Sequence, residues 1–167
     1  MKVAKDDPRV VVINSLLSEE ENNALHQYQD CYVSLHRSEG SGMNILETMA
    51  SGIPVIATNY SGNVDYFTTM PSFEGKCTFP IPYKLVELKE DIGPYLKGNH
   101  WAEADHKSAV MAMRDVVKSD CKRLYGTEMR RQVDANFGPQ AVGAIMKAHL
   151  DESLHRIIAK QRKYANV

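Results

Sequence analysis

The fold class is decided by residues 31–50, which read Cys31-Tyr32-Val33-Ser34-Leu35, then His36-Arg37-Ser38-Glu39-Gly40-Ser41-Gly42, then Met43-Asn44-Ile45-Leu46-Glu47-Thr48-Met49-Ala50. The first part is an apolar run typical of a strand, the second is a glycine-rich turn, and the third favours a helix. A strand, a glycine loop and a helix in this order can aim free backbone N–H groups and a helix dipole at an anion.

Two glutamates bracket the turn and the start of the helix, because Glu39 and Glu47 are separated by seven residues. A carboxylate accepts hydrogen bonds from sugar hydroxyls, whereas charge repulsion makes it a poor partner for a phosphate. The backbone N–H groups of the turn suit the phosphate instead. The segment therefore suits a sugar nucleotide as its ligand.

On the N-terminal side of this stretch, the sequence predicts one more strand and one more helix. The apolar run at residues 10–13 is typical of a strand that is covered on both faces. Ser18 and Glu21 form a capping box, which predicts a helix over residues 19–28.

On the C-terminal side, Gly52 ends the central helix, residues 55–57 form a third strand, and residues 64–67 form a short helix. Strands that alternate with helices indicate an α/β fold with a parallel sheet and right-handed crossovers.

The last part of the chain is predicted to be mainly helical. Residues 84–88 predict one more strand, and residues 103–118, 127–136 and 140–162 predict helices. Thr127 is the expected N-cap of the helix over residues 127–136. The helix over residues 103–118 has a predicted buried side of Ala109, Val110, Met113, Val116 and Val117. The last helix has a basic end and an apolar stripe of Ile145, Leu150, Leu154, Ile157 and Ile158.

The composition is that of an ordinary globular protein. The 167-residue chain is 43% hydrophobic and 25% charged, which fits a single domain over residues 1–167. A net charge of −1 does not suggest nucleic acid as a partner. Three widely spaced cysteines do not suggest a disulfide framework, so we expect a reducing, cytoplasmic location. The basic end of the last helix leaves membrane contact as a minor alternative.

Several sequence blocks together resemble the donor-binding half of retaining glycosyltransferases of the GT-B fold. That family has two glutamates at the spacing of Glu39 and Glu47, followed by a Met-Ala-x-Gly-x-Pro-Val-Ile-Ala block. Here the block is Met49-Ala50-Ser51-Gly52-Ile53-Pro54-Val55-Ile56-Ala57, and Tyr60-Ser61-Gly62-Asn63 follows it. The resemblance covers roughly residues 10–117 and implies a Rossmann-like parallel sheet flanked by helices, a partial C-terminal domain of the GT-B fold.

The resemblance implies a role for the polar residues of this segment. Glu39 is expected to contact the transferred sugar as the catalytic residue, and Glu47 is expected to bind the ribose hydroxyls. Backbone N–H groups at the helix start would stabilise the negative charge that grows on the departing diphosphate. The donor-binding candidates besides Glu47 are Arg37, Gly40, Ser41, Gly42, Met43, Asn44, Thr58 and Ser61.

Structural roles are open for several of these residues. The glycines could form a simple strand-to-helix turn, and Arg37 could be a surface arginine. Turn chemistry explains Thr58, Ser61 and Asn63 almost as well as ligand binding does. The family commonly has a bulky aromatic at the position of Ser41, so we expect the loop of this chain to pack less firmly.

Four other polar or aromatic residues have two interpretations each. His36 is more often structural than an acid or base when it stands at a strand end. Trp101, Glu103 and Asp105 form either a lid or a helix cap, and the cap is favoured. No metal-ligand spacing is evident. The resemblance implies metal-independent transfer, with a UDP- or GDP-sugar as substrate and no cofactor.

The resemblance also implies parts that this sequence does not supply. In the family, an acceptor-binding N-terminal domain and a basic pair that grips the diphosphate precede the segment that matches residue 10. Residues 1–8 contain neither, so we expect a missing N-terminal domain, a partner chain or a homo-oligomer. Without one of these, the apolar stripe of the last helix would be exposed.

The sequence pattern allows two functions and disfavours a third. The leading hypothesis is the donor-binding portion of a glycosyltransferase, an enzyme that moves a sugar from a nucleotide carrier to a glycan, lipid or protein, with retention. The alternative is a non-catalytic sugar-nucleotide-binding module that needs a partner chain. A Rossmann oxidoreductase is a weak third hypothesis, because no Gly-x-Gly-x-x-Gly motif stands near the first strand.

Overall fold

The computed structural model describes residues 7–165. Its centre is a parallel three-stranded sheet in the order β1-β2-β3, formed by β1 (Tyr32–Ser34), β2 (Val55–Thr58) and β3 (Thr78–Ile81). Helices flank this sheet. The predicted α/β class, with a Rossmann-like parallel sheet, is therefore confirmed.

Strand β2 is the centre of the core. All four of its residues are buried, and Val55 pairs with Tyr32 of β1 on one side and with Thr78 of β3 on the other. Because a central parallel strand is covered on both faces, it needs the continuous apolar run that residues 55–57 supply.

Six α-helices accompany the sheet in the described part of the chain: α1 (Glu19–Tyr28), α2 (Met43–Ala50), α3 (Val64–Thr69), α4 (His106–Lys118), α5 (Cys121–Phe137) and α6 (Pro139–Ala165). A 3₁₀ turn at Pro71–Phe73 follows α3. Helix α1 begins with the predicted capping box, in which Ser18 and Glu21 bond each other's backbone N–H groups. The core side chains from these elements include Ile45, Met49, Phe67 and Met129.

A second, antiparallel sheet follows β3. Strands β4 (Tyr83–Glu87) and β5 (His100–Ala104) form it as a hairpin. The strand predicted at residues 84–88 is confirmed, with its bounds one residue earlier. It does not extend the parallel sheet, because it pairs with β5, a strand that was not predicted from the sequence.

The strand predicted at residues 10–13 is wrong. These residues form no strand, and their side chains are exposed; Val11 retains 82% of its accessible surface. An apolar composition does not make a strand unless a neighbour accepts and donates its backbone hydrogen bonds. Strand β1 pairs with β2, and none of the described strands pairs with residues 10–13.

Helices α4 and α5 begin at residues other than those predicted from the sequence. Helix α4 begins at His106 rather than at residue 103, because residues 103–104 belong to β5. Helix α5 begins at Cys121, so Thr127 is not its N-cap but lies inside it. The Gly and Pro that follow α5 do end it: Gly138 is its C-cap, and α6 begins at the next residue.

The buried side of α4 is narrower than predicted. Ala109 and Val116 are buried, together with Ala112, whereas Val110, Met113 and Val117 are exposed. Small side chains at the contact let the helix approach β2 and β3 closely. The larger apolar residues are therefore left on its flanks.

Helix α6 confirms the helix predicted at residues 140–162 and extends a little beyond it at both ends. Beyond its first turn, the described side chains of this helix up to residue 161 are exposed. They include the apolar stripe of Ile145, Leu150, Leu154, Ile157 and Ile158. No described helix has the length and apolar character needed to cross a membrane.

The predicted cap of α4 is confirmed and gives a testable pH dependence. Asp105 Oδ1 accepts a hydrogen bond of 2.7 Å from the backbone N–H of Ser108, and this bond lowers the pKa of the Asp105 carboxyl below its usual 3.8. Because the folded-state pKa is lowered, the cap contributes stability above that usual value and loses it as the pH falls through the folded-state pKa.

We therefore expect Asp105→Ala to lower the free energy of unfolding at neutral pH, and Asp105→Asn to retain most of it. Urea unfolding at neutral and at acid pH measures both. The difference between wild type and Asp105→Asn should shift against the wild type in acid, since the asparagine cap does not titrate. An Asp105→Ala variant as stable as wild type at neutral pH would contradict the cap.

Candidate functional site

The candidate site lies at the carboxyl end of the parallel sheet, where two loops meet. Residues 35–42 follow β1, and residues 59–63 follow β2. In open parallel sheets, ligands bind in the crevice outside this edge. The predicted glycine loop therefore occupies the place in the fold where a ligand is expected.

Gly42 turns the chain from the loop into α2. It is the N-cap of α2 and has a φ of 74°, in the left-handed region that costs glycine little. A Cβ atom here would lie 3.1 Å from Cβ of Asn63 and 3.4 Å from Cγ of Glu39. The turn therefore brings the glycine loop against the loop that follows β2.

The start of α2 presents backbone donors. Among the residues that the structure describes, none accepts a hydrogen bond from the N–H groups of Met43 and Asn44, whereas Ile45 and Leu46 donate to the carbonyl of Gly42. The first N–H groups of a helix have no intrahelical acceptor, and the helix dipole adds partial positive charge there. These groups can therefore bind an anion.

Two hydrogen bonds to the carbonyl oxygen of Glu39 join the two loops, and we call this contact between the loops the seam. Ser61 Oγ donates to the carbonyl oxygen of Glu39 over 2.5 Å, and the N–H of Gly62 donates to the same oxygen over 3.4 Å. Ser61 has a φ of 73°, which is uncommon for a residue with a side chain. Backbone strain of this kind often stands at functional sites.

Glu39 is only partly exposed, and its backbone is held by the seam. Its side chain lies near Tyr66 of α3. Burial raises the pKa of Tyr66, a hydrogen bond with Ser41 offsets part of the rise, and the negative charges of Asp65 and Glu39 add to it. No hydrogen bond or ion pair to the Glu39 carboxylate is found within residues 7–165. This carboxylate is therefore available to a ligand.

Glu47 lies on the second turn of α2, with 49% of its side chain exposed. Its carboxylate lies 3.8 Å from Nε2 of His26, a buried residue of α1. His26 is fixed at its other nitrogen, since Nδ1 lies 3.0 Å from Oγ1 of Thr48. The contact with His26 was not predicted from the sequence, because only the packing of α1 on α2 brings the two residues together.

Two buried polar atoms lack partners at the end of β2. Thr58 and Asn63 are fully buried, and Asn63 Nδ2 donates to the carbonyl of Thr58 over 2.9 Å. In the described part of the chain, nothing bonds Thr58 Oγ1 or Asn63 Oδ1. Buried polar atoms are nearly always paired, so these two atoms are exceptions within the described core, and their full burial keeps them out of direct contact with a ligand in the crevice.

Arg37 is held by the hairpin. Its guanidinium carbon lies 4.2 Å from the centre of the Trp101 ring, and its carbonyl accepts a hydrogen bond of 2.9 Å from the N–H of Ala102. Trp101 and Glu103 lie in β5, so they are not part of a helix cap, whereas Asp105 is.

His36 links the two loops. Its Nε2 lies 3.1 Å from the carbonyl oxygen of Tyr60, and its Nδ1 lies 3.2 Å from Oγ of Ser34. A carbonyl can only accept, so Nε2 carries the proton, and in the neutral ring Nδ1 accepts from Ser34. Both nitrogens are engaged, which favours the structural interpretation of His36.

The structure brings the candidate residues together at this edge of the sheet, except Glu47. Arg37, the glycine loop and the start of α2 are contiguous, Ser61 bonds Glu39, and Thr58 lies behind them through Asn63. Glu47 lies further along α2. It lines a groove of about 710 Å³ that Leu46, Arg130 and Phe137 also line.

A larger groove, of about 810 Å³, lies at the amino ends of the strands. Asp30, Cys31 and Pro54 line it, and it contains none of the candidate residues. Burial raises the pKa of the Cys31 thiol to about 12, so this cysteine is not a reactive thiolate. Within residues 7–165, no three His, Cys, Asp or Glu side chains are grouped as a metal site.

Residues 8–70 match the family model for glycosyl transferases group 1. A comparison with curated proteins finds no match. The matched segment covers less than half of the chain, but it includes the glycine loop, both glutamates and the loop after β2. The match supports a glycosyltransferase function, and over residues 8–70 the chain is similar to the group 1 glycosyl transferases.

Proposed function

We propose that this chain is the donor-binding portion of a glycosyltransferase that moves a sugar from a nucleotide sugar to a glycan, lipid or protein. One observation carries the proposal. The unpartnered N–H groups at the start of α2 lie at the carboxyl end of the parallel sheet, inside the segment that matches the family. A diphosphate fits these donors, and the neighbouring carboxylates fit hydroxyls.

The donors at the start of α2 would act on the leaving group. When the bond between the anomeric carbon and the diphosphate breaks, negative charge grows on the departing phosphate. The N–H groups of Gly42, Met43 and Asn44 are already oriented, so they bind that charge more strongly in the transition state than in the ground state. Arg37 adds a positive charge at the same loop.

The two glutamates would bind different parts of the donor. Glu39 lies in the loop, where its free carboxylate would contact the transferred sugar and the positive charge that develops on its ring. Glu47 lies one turn into α2, where its exposed carboxylate would accept hydrogen bonds from the ribose. Ser61, which is exposed in the loop after β2, would bond the nucleotide, and the fully buried Thr58 and Asn63 would support this loop from behind.

Four finer features complete the proposal. Transfer proceeds with retention, as in the GT-B enzymes that the sequence resembles, and it needs no metal because backbone donors and Arg37 bind the diphosphate. The substrate is a UDP- or GDP-sugar. The exposed apolar stripe of α6 packs against an N-terminal domain, a partner chain or a second copy.

Calorimetry with a panel of UDP- and GDP-sugars tests this function. We expect weak binding of at least one donor and a loss of roughly tenfold to a hundredfold in Glu47→Ala, since a hydrogen bond to a charged group is removed. The matched control is Glu74→Ala, because Glu74 is exposed and lies outside the two loops and α2.

Three outcomes decide the proposal. If no donor binds, the function is wrong. If Glu47→Ala binds as wild type does, Glu47 has no role at the ribose. If a donor binds but neither hydrolysis nor transfer follows, alone or with a partner chain, the chain is a non-catalytic sugar-nucleotide-binding module.

A further inference from the structure

The hairpin makes one specific contact with the candidate site. Trp101, the only tryptophan of the chain, lies in β5, and the guanidinium of Arg37 lies 4.2 Å from the centre of its ring. The backbone N–H of Ala102 donates to the carbonyl of Arg37 over 2.9 Å. Both the backbone and the side chain of Arg37 are therefore fixed by β5.

The chemistry of this contact leaves Arg37 free to bind a ligand. A cation–π contact uses the flat face of the guanidinium, whereas hydrogen bonds to a phosphate use the N–H groups at its edge. Within residues 7–165, no side chain or carbonyl accepts a hydrogen bond from the Arg37 guanidinium, and no carboxylate pairs with it. The edge donors are therefore unused, while the plane is held.

Arg37 stands in the same loop as the backbone donors at the start of α2, so a phosphate bound there would be close in the chain to its guanidinium. Arg37 stands two residues before Glu39, whose carbonyl is fixed by Ser61, and five residues before Gly42 at the start of α2. A diphosphate bound to the α2 donors would therefore lie at the same loop as the guanidinium. Bidentate contacts to phosphate require a defined orientation of the guanidinium plane.

We propose that Trp101 is a positioning residue that orients the Arg37 guanidinium toward the diphosphate of the donor. This inference rests on the proposed function, because it assumes a diphosphate at the glycine loop. A free arginine samples many rotamers and loses that freedom when it binds. Stacking on Trp101 removes part of that freedom in advance, so the donor binds more tightly.

A purely structural role for Trp101 predicts different behaviour. Its ring also meets Tyr95 edge-on, with ring centres 6.2 Å apart, so it could simply hold the hairpin together. A loss caused by a damaged hairpin would not depend on Arg37, whereas a positioning effect would. A double-mutant cycle separates the two.

The experiment measures UDP and GDP affinity by calorimetry in wild type, Trp101→Leu, Arg37→Met and the double variant. Trp101→Leu keeps apolar bulk and removes the aromatic face. We expect it to weaken binding of the nucleoside diphosphate that binds best by roughly two- to tenfold in the wild-type background and to have no effect when Arg37→Met is present.

Two further variants keep the test decisive if Trp101→Leu folds poorly. Trp101→Tyr retains an aromatic face and should restore most of the affinity, while Tyr95→Ala removes the other aromatic contact of Trp101 and should bind as wild type does. Intrinsic fluorescence gives an independent readout, because Trp101 is the only tryptophan. Its emission should change with Arg37→Met and again when the diphosphate binds.

The outcomes distinguish this inference from the proposed function. If UDP or GDP binds and Trp101→Leu costs the same in both backgrounds, or costs nothing, the positioning role is overturned and the proposed function stands. If neither diphosphate binds to the wild-type chain, both are overturned. Trp101→Tyr that binds no better than Trp101→Leu would also contradict stacking as the cause.

Discussion

Gly126→Ala should lower the free energy of unfolding by about 2 kcal/mol, although it replaces a glycine inside a helix by alanine. Helix propensity alone predicts a gain of about 1 kcal/mol from this change. Packing opposes the gain. A Cβ atom on Gly126 would lie 2.6 Å from the carbonyl oxygen of Gly52, and a clash between backbones cannot be relieved by turning a side chain.

The contact is reciprocal and holds α2 in place. A Cβ atom on Gly52 would lie 2.7 Å from the carbonyl oxygen of Gly126, and Gly52 has a φ of 73°. Helices α2 and α5 meet here, just beyond the end of α2. Separating them would move α2, and with it the backbone donors at its start. The close approach at one end of α2 therefore supports the candidate site at the other.

Chemical denaturation measures this prediction, and α6 supplies its control. Gly143 also lies inside a helix, but a Cβ atom there would have no neighbour within 4 Å. Gly143→Ala should therefore raise the free energy of unfolding by about 0.5–1 kcal/mol, as propensity predicts. If both variants were stabilised equally, the described contact between α2 and α5 would be wrong.

Signals that are local in the sequence correctly predicted where helices begin and end. The capping box of Ser18 and Glu21 fixed the start of α1, and Gly52 ended α2 within two residues of its observed end. These signals are interactions between neighbours in the chain, so they are visible in the sequence. The same holds for the glycine turn, where Gly42 adopts the left-handed conformation that a strand-to-helix turn uses.

Elements that depend on a distant partner were the ones missed. The run at residues 10–13 has the composition of a strand, yet no described strand pairs with it. Strand β3 contains Pro80, which argues against a strand, but β3 lies at the edge of the sheet, where a missing N–H is tolerated. Strand β5 is defined only by its pairing with β4.

The candidate site divides in the same way. The residues of the glycine loop follow one another in the chain, so the sequence predicted them as a group. The contact of Glu47 with His26 and the stacking of Arg37 on Trp101 join residues that are 21 and 64 positions apart. No local pattern encodes such contacts, because they arise when α1 and the hairpin pack around the loop.

Gly62→Ala should weaken donor binding by at least about tenfold, the second large effect that the structure predicts. A Cβ atom on Gly62 would lie 1.7 Å from the carbonyl oxygen of Gly40, so the two loops must move apart. That movement would break the bond from Ser61 to the Glu39 carbonyl and displace the glycine loop from the start of α2.

Gly40 provides the matched control for folding, because it faces Gly62 across the same seam, yet a Cβ atom on Gly40 would meet nothing within 4 Å. Gly40→Ala should therefore leave the free energy of unfolding nearly unchanged, whereas Gly62→Ala should lower it. Calorimetry with the best donor of the panel, together with urea unfolding, measures both effects. A Gly62→Ala variant that binds the donor as tightly as wild type would show that the seam does not position the donor site, because backbone placement of about 1 Å decides whether N–H groups reach a phosphate.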